Sequence, residues 1–357
     1  MNKERLINTF CELVKIPSET PNDREFVSYL EKFFKKEGAQ TSLDSYGNLV
    51  AKFSAKNSSS MEPIAFCCHA DTVKPGAGIT PVVENDRIRS SGDTILGADD
   101  KAGIAILIEM VKSSSKHPPI EIIISRCEEI GTEGSANLDY SLIKSKIAYV
   151  LDEEEIAEII IGAPTKLAFL VEFKGKSAHA SEPENGVSSI LAACKAISSM
   201  KLGRIDEEST ANVGVIEGGE VVNGIPGNTK IIAECRSCNH EKALKISEEM
   251  EKIFYNAGKE NGVSVEIKKD IKYLAFKIDE KSKVVQMAIA ALKKNGIEAK
   301  TKVITGGLDA NNLNKHGIQA ATLGVGYREI HTTKEYILIK EMELCAKTVI
   351  DIVEGMA

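Results

Sequence analysis

Two stretches near the start of the chain carry apolar residues at helical spacing. Over residues 3–14 and 22–38 they recur three and four apart, and in the second Phe26, Tyr29, Leu30, Phe33 and Phe34 share one face. Asn22 or Asp23 is placed to cap that helix and Gly38 to end it. The pattern then changes to short continuous apolar runs bounded by turn residues: NLVAKF, PIAFCCH, IEIIISRC and KIAYVLD. A run apolar at nearly every position predicts a strand covered on both faces. Between PIAFCCH and IEIIISRC lies KAGIAILIEMVKSS, a predicted helix opening directly after GADD. Strands of this kind alternating with helices predict the α/β class, with a mixed, mostly parallel sheet and helices on both faces.

From about residue 164 the order changes. KLAFLVEFKG reads as a strand, VSSILAACKAISSM as a helix, ANVGVIEGG and TKIIAECRS as strands, HEKALKISEEMEKIFYNAGKENG as a long helix, and SVEIKKDIKYLAF as a strand. That β-α-β-β-α-β sequence is the ferredoxin-like split motif. The helix–strand alternation then resumes, and the chain closes on a helix with Leu338, Met342, Cys345, Val349 and Val353 along one side. The predicted organisation is a discontinuous α/β domain, residues 1–163 and 277–357, interrupted by an inserted α+β lid, residues 164–276.

Composition removes several function classes. Lys and Arg number 45 against 52 Asp and Glu, a formal charge of -7, so the electrostatic footprint for nucleic acid or an anionic membrane is missing. No apolar run approaches the ~18 residues of a membrane span, and MNKERLINTFCELVKI lacks a signal-peptide core. The expected setting is cytoplasmic. The eight cysteines lie mostly in apolar runs and are expected as free thiols. Cys235 and Cys238 form a lone CxxC without a second pair.

The chemistry lies in what ends each buried strand. PIAFCC runs into His69-Ala70-Asp71, IEIIISRC into Glu128-Glu129, KIAYVL into Asp152, and QAATLGVGYREI into His331. Asp99 and Asp100 lie in the Gly-bounded loop GADDKAG at the mouth of a helix. Each has an ordinary reading. The Asp pair can cap the helix, Glu128 and Glu129 can be a solvated loop, Asp152 can open the exposed run DEEE, and His331 can precede the last helix. In open α/β sheets, however, ligands bind beyond the carboxyl ends of the strands. Five strand or loop ends supplying ligand-type residues to one rim predict a metal site.

Imidazoles and carboxylates without thiolate suit Zn²⁺, and also Mn²⁺ or Co²⁺. With one carboxylate shared, the set holds two ions, which at about 3.5–4 Å clamp both oxygens of a hydrolysis. Of Glu128 and Glu129, one can ligate while its neighbour takes a proton from water. Asp71, two residues beyond His69, can orient the imidazole.

The stretches HADTV, LGADDKAG, EEIGTEGS, VLDEEE and IHTTKE, with GKSAHASEPENG and EGGEVVNGIPGNTKIIAECRS, resemble the co-catalytic dizinc exopeptidases, the family of peptidase T, carboxypeptidase G and succinyl-diaminopimelate desuccinylase. The resemblance spans essentially the whole chain and is greatest to peptidase T-like proteins. It implies that Asp99 bridges two Zn²⁺ ions, that His69 and Asp152 complete one site, and that Glu129 and His331 complete the other. It makes Glu128 the general base and Asp71 the orienter of His69. An Asp at position 152 is similar to the aminopeptidase and dipeptidase branch, which implies short peptides as substrates.

In the lid, the resemblance raises His179 to a stabiliser of the tetrahedral oxyanion, a residue that in many relatives reaches the partner subunit's site. It makes Arg236 a clamp for a substrate carboxylate. Asn223 in VNGIP is either a turn residue or a substrate contact. Gly306 and Gly307 allow close backbone approach, and Asp309 either acts near the site or caps the next helix. A homodimer through the lid is expected. The metal core alone also suits a deacylase or carboxypeptidase; a metal-binding protein without turnover would not need Glu128 and Asp71.

Overall fold

The computed structural model describes residues 1–357. The chain divides into two compact units. The larger comprises Met1–Gly162, Lys277–Val303 and Leu308–Ala357, and the smaller Ala163–Phe276 with Ile304–Gly307.

At the centre of the larger unit four strands run parallel in the order Ile120–Ser125, Ile64–His69, Ile147–Glu153, Gln319–Gly324. Every residue of the first two is buried, as their unbroken apolar runs require when both sheet faces are covered. Antiparallel strands flank them. Leu49–Phe53 pairs with Ile120–Ser125, and Glu158–Ala163 pairs with Gln319–Gly324, which makes the sheet mixed.

The helix Ala98–Ser113 is buried along its first thirteen positions, Ala98 through Met110. It packs between the strand Ile64–His69 and the helices Lys3–Leu13 and Ile339–Met356, so it is buried on all sides rather than striped. Gly103 sets how closely it approaches the sheet. A Cβ there would lie 2.8 Å from both Cys68 Sγ and the Leu151 carbonyl oxygen. That approach brings the start of the helix over the carboxyl ends of two central strands.

Several elements depart from the sequence pattern. The second helix is Arg24–Lys36, and the Asp23 side chain does not cap it. Asp23 is fully buried and its carboxylate accepts from Arg126 Nε at 2.8 Å and also from Nη2. A guanidinium taken out of water demands a carboxylate more strongly than a helix end does. A small antiparallel sheet of Pro81–Val83, Arg87–Ser90, Tyr336–Leu338 and Tyr327–Arg328 has strands too short to show a period. His331 lies in the turn between two of these strands, at φ 61°, and not at the start of the last helix. The Ile278 amide donates to the Ile161 carbonyl at 2.7 Å, so the larger unit's chain breaks off and resumes at neighbouring positions. No helix is long and apolar enough to cross a membrane.

The smaller unit is an antiparallel sheet in the order Gly203–Asp206, Ser209–Gly218, Asn228–Ser237, Thr165–Lys174, Ser264–Tyr273. Setting aside the short edge strand, its β-α-β-β-α-β order is the ferredoxin-like arrangement. Its central strand alternates: Leu167, Phe169, Val171 and Phe173 are buried against Ala192 and Phe254 of the two helices Ser189–Ser198 and His240–Glu260. A period of two is what a sheet covered on one face requires. Both helices have side-chain caps, Ser188 accepting from Leu191 N at 3.2 Å and Asn239 from Lys242 N at 3.0 Å.

Candidate metal centre

The carboxyl ends of the central strands gather the ligand-type residues. Two groups form, His69 with Asp99 and Asp152, and Asp99 with Glu129 and His331; within each, the ligand atoms lie within 4.8 Å of one another. Asp99 is common to both. Its Oδ1 lies 2.9 Å from His69 Nε2, and its Oδ2 lies 3.3 Å from His331 Nε2. His331 Nε2 also lies 2.9 Å from Glu129 Oε2. The Asp99–Asp100 peptide is cis.

Burial and like charge perturb the carboxylates of the site, while the carboxylates raise the imidazoles. Burial, aided by the charge of Asp99, pushes the Asp152 carboxyl up to about 8. Burial likewise raises Glu129, and raises Glu128 well above the carboxylate range. Hydrogen bonds to Asp99 and Glu129 push His331 up to about 10. Glu129 Oε1 is buried with no hydrogen-bond partner. Like charges collected away from water destabilise one another unless a cation joins them. Nitrogen and oxygen donors in two groups sharing a carboxylate fit two divalent ions of the Zn²⁺, Mn²⁺ or Co²⁺ kind.

The surrounding residues explain the orientation of this set. His69 Nδ1 lies 2.8 Å from the Asp71 carbonyl oxygen and 3.6 Å from its carboxylate, so the backbone oxygen is the nearer partner of the imidazole. The Asp71 carboxylate mainly holds the next segment. It accepts from Glu128 N at 2.9 Å, Glu129 N at 3.3 Å and Thr20 Oγ1 at 2.5 Å. Asp100 does not cap the helix; its Oδ2 accepts from His69 N at 3.2 Å.

Three further residues support the set, and two of them, Tyr327 and Thr20, escaped the sequence reading. Tyr327 Oη donates to Asp152 Oδ1 at 2.8 Å, and Thr20 reaches Asp71 from a loop without any motif. Asp309, first in its helix, turns its carboxylate to the Ser125 and Ser135 hydroxyls, the latter at 2.5 Å, beneath the strand that leads to Glu128. For Tyr327 the signal was present, since a Tyr after the break VG interrupts an otherwise apolar run.

The remaining sequence-predicted residues belong to the smaller unit. His179 and Asn223 are exposed and line one cavity of about 830 Å³ together with Ser177, Glu217 and Lys230. His179 Nδ1 lies 2.7 Å from Ser181 Oγ, and the Asn223 carbonyl accepts from Ala180 N at 2.9 Å. Arg236 and Gly307 are not part of that lining. Arg236 is engaged by Glu234 at 2.7 Å and donates to the Thr305 carbonyl at 3.4 Å. Gly307 faces the Tyr273 ring, where a Cβ would come within 2.1 Å of Cζ.

Two family models match the chain, over overlapping residues. Residues 161–262 match the peptidase dimerisation domain, and residues 48–191 match peptidase family M28. The Bacillus subtilis protein YqjE is 39% identical across the whole of both chains. The crystal structure of aminopeptidase PepT from Bacillus cereus is 39% identical, with a TM-score of 0.90 over 100% of this chain and 99% of that one. A tripeptidase from Staphylococcus aureus is 35% identical, with a TM-score of 0.94 over 100% and 99% of the two chains. On sequence and fold together, the chain belongs to the peptidase T-like family of co-catalytic dizinc exopeptidases.

Proposed function

We propose that this protein is a Zn²⁺-dependent aminopeptidase acting on short peptides, tripeptides among them, with two Zn²⁺ per subunit and Co²⁺ or Mn²⁺ able to replace them. The observation that carries this reading is the shared carboxylate Asp99, common to two donor groups of otherwise different composition. An Asp at position 152, and similarity to an aminopeptidase and a tripeptidase, support the substrate class. Held by His69, Asp99, Glu129, Asp152 and His331, such a metal pair would supply Lewis acidity to the scissile carbonyl and lower the pKa of a bound water to about 7.

The chain's own residues do the rest. Glu128 takes the proton of the attacking water and returns it to the leaving amine. Burial raises its carboxyl, which favours the proton-holding state it must pass through before returning the proton to the amine. Asp71 fixes the amides of Glu128 and Glu129, and so the placing of base and ligand relative to each other. On the substrate side, His179 donates to the oxyanion and Arg236 binds the peptide carboxylate in competition with Glu234, with Asn223 and Gly307 as further contacts. Two chains pair through the smaller unit, whose strand Ser209–Gly218 is partnered by Gly203–Asp206 only along its first residues. The eight free cysteines fit a cytoplasmic setting.

The test is a substrate panel on the Zn²⁺-loaded protein and its Glu128→Ala variant. The wild type is expected to cleave free-amine tripeptides in preference to N-acyl amino acids. The variant is expected to retain its metal and lose roughly 10²–10⁴-fold in kcat. Near-wild-type turnover would remove Glu128 from the mechanism, and a preference for N-acyl substrates would turn the reading to a deacylase.

A further inference from the structure

The helix Ala98–Ser113 opens with Gly97 as its N-cap residue and no side-chain cap from its own segment. Its first amides are buried, and buried donors at a helix start need acceptors. Glu335, 1% exposed, supplies them. Its Oε2 accepts from Leu96 N at 2.7 Å and Gly97 N at 2.8 Å, and its Oε1 from Ala98 N at 2.7 Å and Asp99 N at 3.1 Å. Four consecutive amides thus converge on one carboxylate just before the kink at Asp99 and Asp100, whose φ/ψ are not helical, and the anion they meet comes from the chain itself.

Glu335 stands on the same tight turn as His331. Its own amide donates to Thr332 O at 3.2 Å, and Thr332 Oγ1 donates to Glu329 O at 2.7 Å. That turn therefore grips Asp99 twice. Glu335 holds its backbone N–H, and His331 Nε2 faces its carboxylate. Gly97 sits at φ 69°, where a Ser, Thr or Asp cap would be strained, so the acceptor for these amides has to come from elsewhere in the chain. Only a carboxylate from the His331 turn also ties the two ligand-bearing segments together. It does so although it adds negative charge beneath a cluster already rich in acids, a cost a cap alone would not require.

We propose that Glu335 is a positioning residue of the metal centre: it fixes Asp99 against His331 before any cation enters, so the Asp99–Glu129–His331 group is assembled in the metal-free protein. This rests on the two-cation reading above. The experiment titrates Zn²⁺, against a chromophoric chelator, into metal-free wild type and Glu335→Gln at a temperature where circular dichroism finds both folded. Gln keeps one accepting oxygen and turns an NH₂ toward two of the four amides. Apparent Zn²⁺ affinity is expected to fall about 10- to 100-fold. The visible spectrum of the Co²⁺-loaded variant should change, and kcat should recover toward wild type at saturating Zn²⁺.

Unchanged Zn²⁺ affinity and an unchanged Co²⁺ spectrum, with only a lower melting temperature, would make Glu335 a helix cap and overturn the inference. Should Glu335→Gln not fold, Glu335→Asp is read in the same way, since it keeps the charge but withdraws the oxygens by one methylene. A wild type that takes up no divalent pair overturns the metal reading and this inference with it. Wild-type binding with an unaltered variant overturns this inference alone.

Discussion

Asp71→Asn tests the geometry most sharply, because the two carboxylate oxygens of Asp71 serve different partners. Oδ1 accepts from Glu128 N, and Oδ2 accepts from Glu129 N and the Thr20 hydroxyl. An amide has one accepting oxygen. Wherever it points, its NH₂ confronts one of the two backbone N–H groups, whereas the Thr20 hydroxyl can rotate to accept. A hydrogen bond to a charged partner is worth about 1.5–3 kcal/mol. Expressed wholly in the transition state, at ~1.36 kcal/mol per factor of ten, that loss lowers kcat/KM about 10- to 100-fold. The assay is steady-state hydrolysis of a free-amine tripeptide at saturating Zn²⁺, with metal content measured on the same samples. Thr20→Val leaves both amides bonded and should lose less. If Asp71→Asn stays within about twofold of wild type, or Thr20→Val falls as far, the carboxylate does not act through the Glu128–Glu129 turn.

Three further outcomes follow from ion pairs outside the ligand set. Asp23→Ala leaves the Arg126 guanidinium, 5% exposed, without a counter-charge. Breaking such a pair costs about 3–5 kcal/mol, so the melting temperature should drop by about 6–20 °C. Lys302→Ala, which breaks an exposed pair with Glu158, should cost under about 1 kcal/mol, and equal drops for the two variants would contradict the role of burial. Glu109 accepts from Arg5 at 2.7 and 2.9 Å. Burial opposes its charge, but these bonds, with those from Ser113 and the Asn2 amide, hold its carboxyl below the usual value. Its folded pKa is therefore the lower one, so its contribution is complete above the ordinary carboxylate range and fades as pH falls through the folded value. Melting temperatures from neutral to acid pH should decline less steeply in Glu109→Gln than in wild type, and parallel profiles would contradict the assignment.

What could be read from the chain depended on the distance over which each cause acts. The strand Ile64–His69 was legible because burial on both faces writes itself into every residue, and Thr165–Lys174 because burial on one face writes itself into every second residue. The rim of ligand-type residues followed from where such strands end, and the structure brings His69, Asp99, Glu129, Asp152 and His331 together there. Partnerships were not legible. Asp23 and the Asp99–Asp100 pair satisfy every local rule for helix caps, yet their partners lie elsewhere in the chain, Arg126 for Asp23 and His69 for both aspartates. The capping oxygens arrive instead from Glu335, 236 residues beyond Asp99. Periodicity cannot report an acceptor at that separation, and it equally missed strands of two to four residues such as Tyr327–Arg328.

The hydrogen bond between Ile278 and Ile161 has an evolutionary consequence. Where a polypeptide exits and re-enters at adjacent points, the host needs only a short bridge to close without the guest, and lengthening the guest adds little closure entropy. The larger unit can therefore exchange one inserted module for another without altering its own strand order.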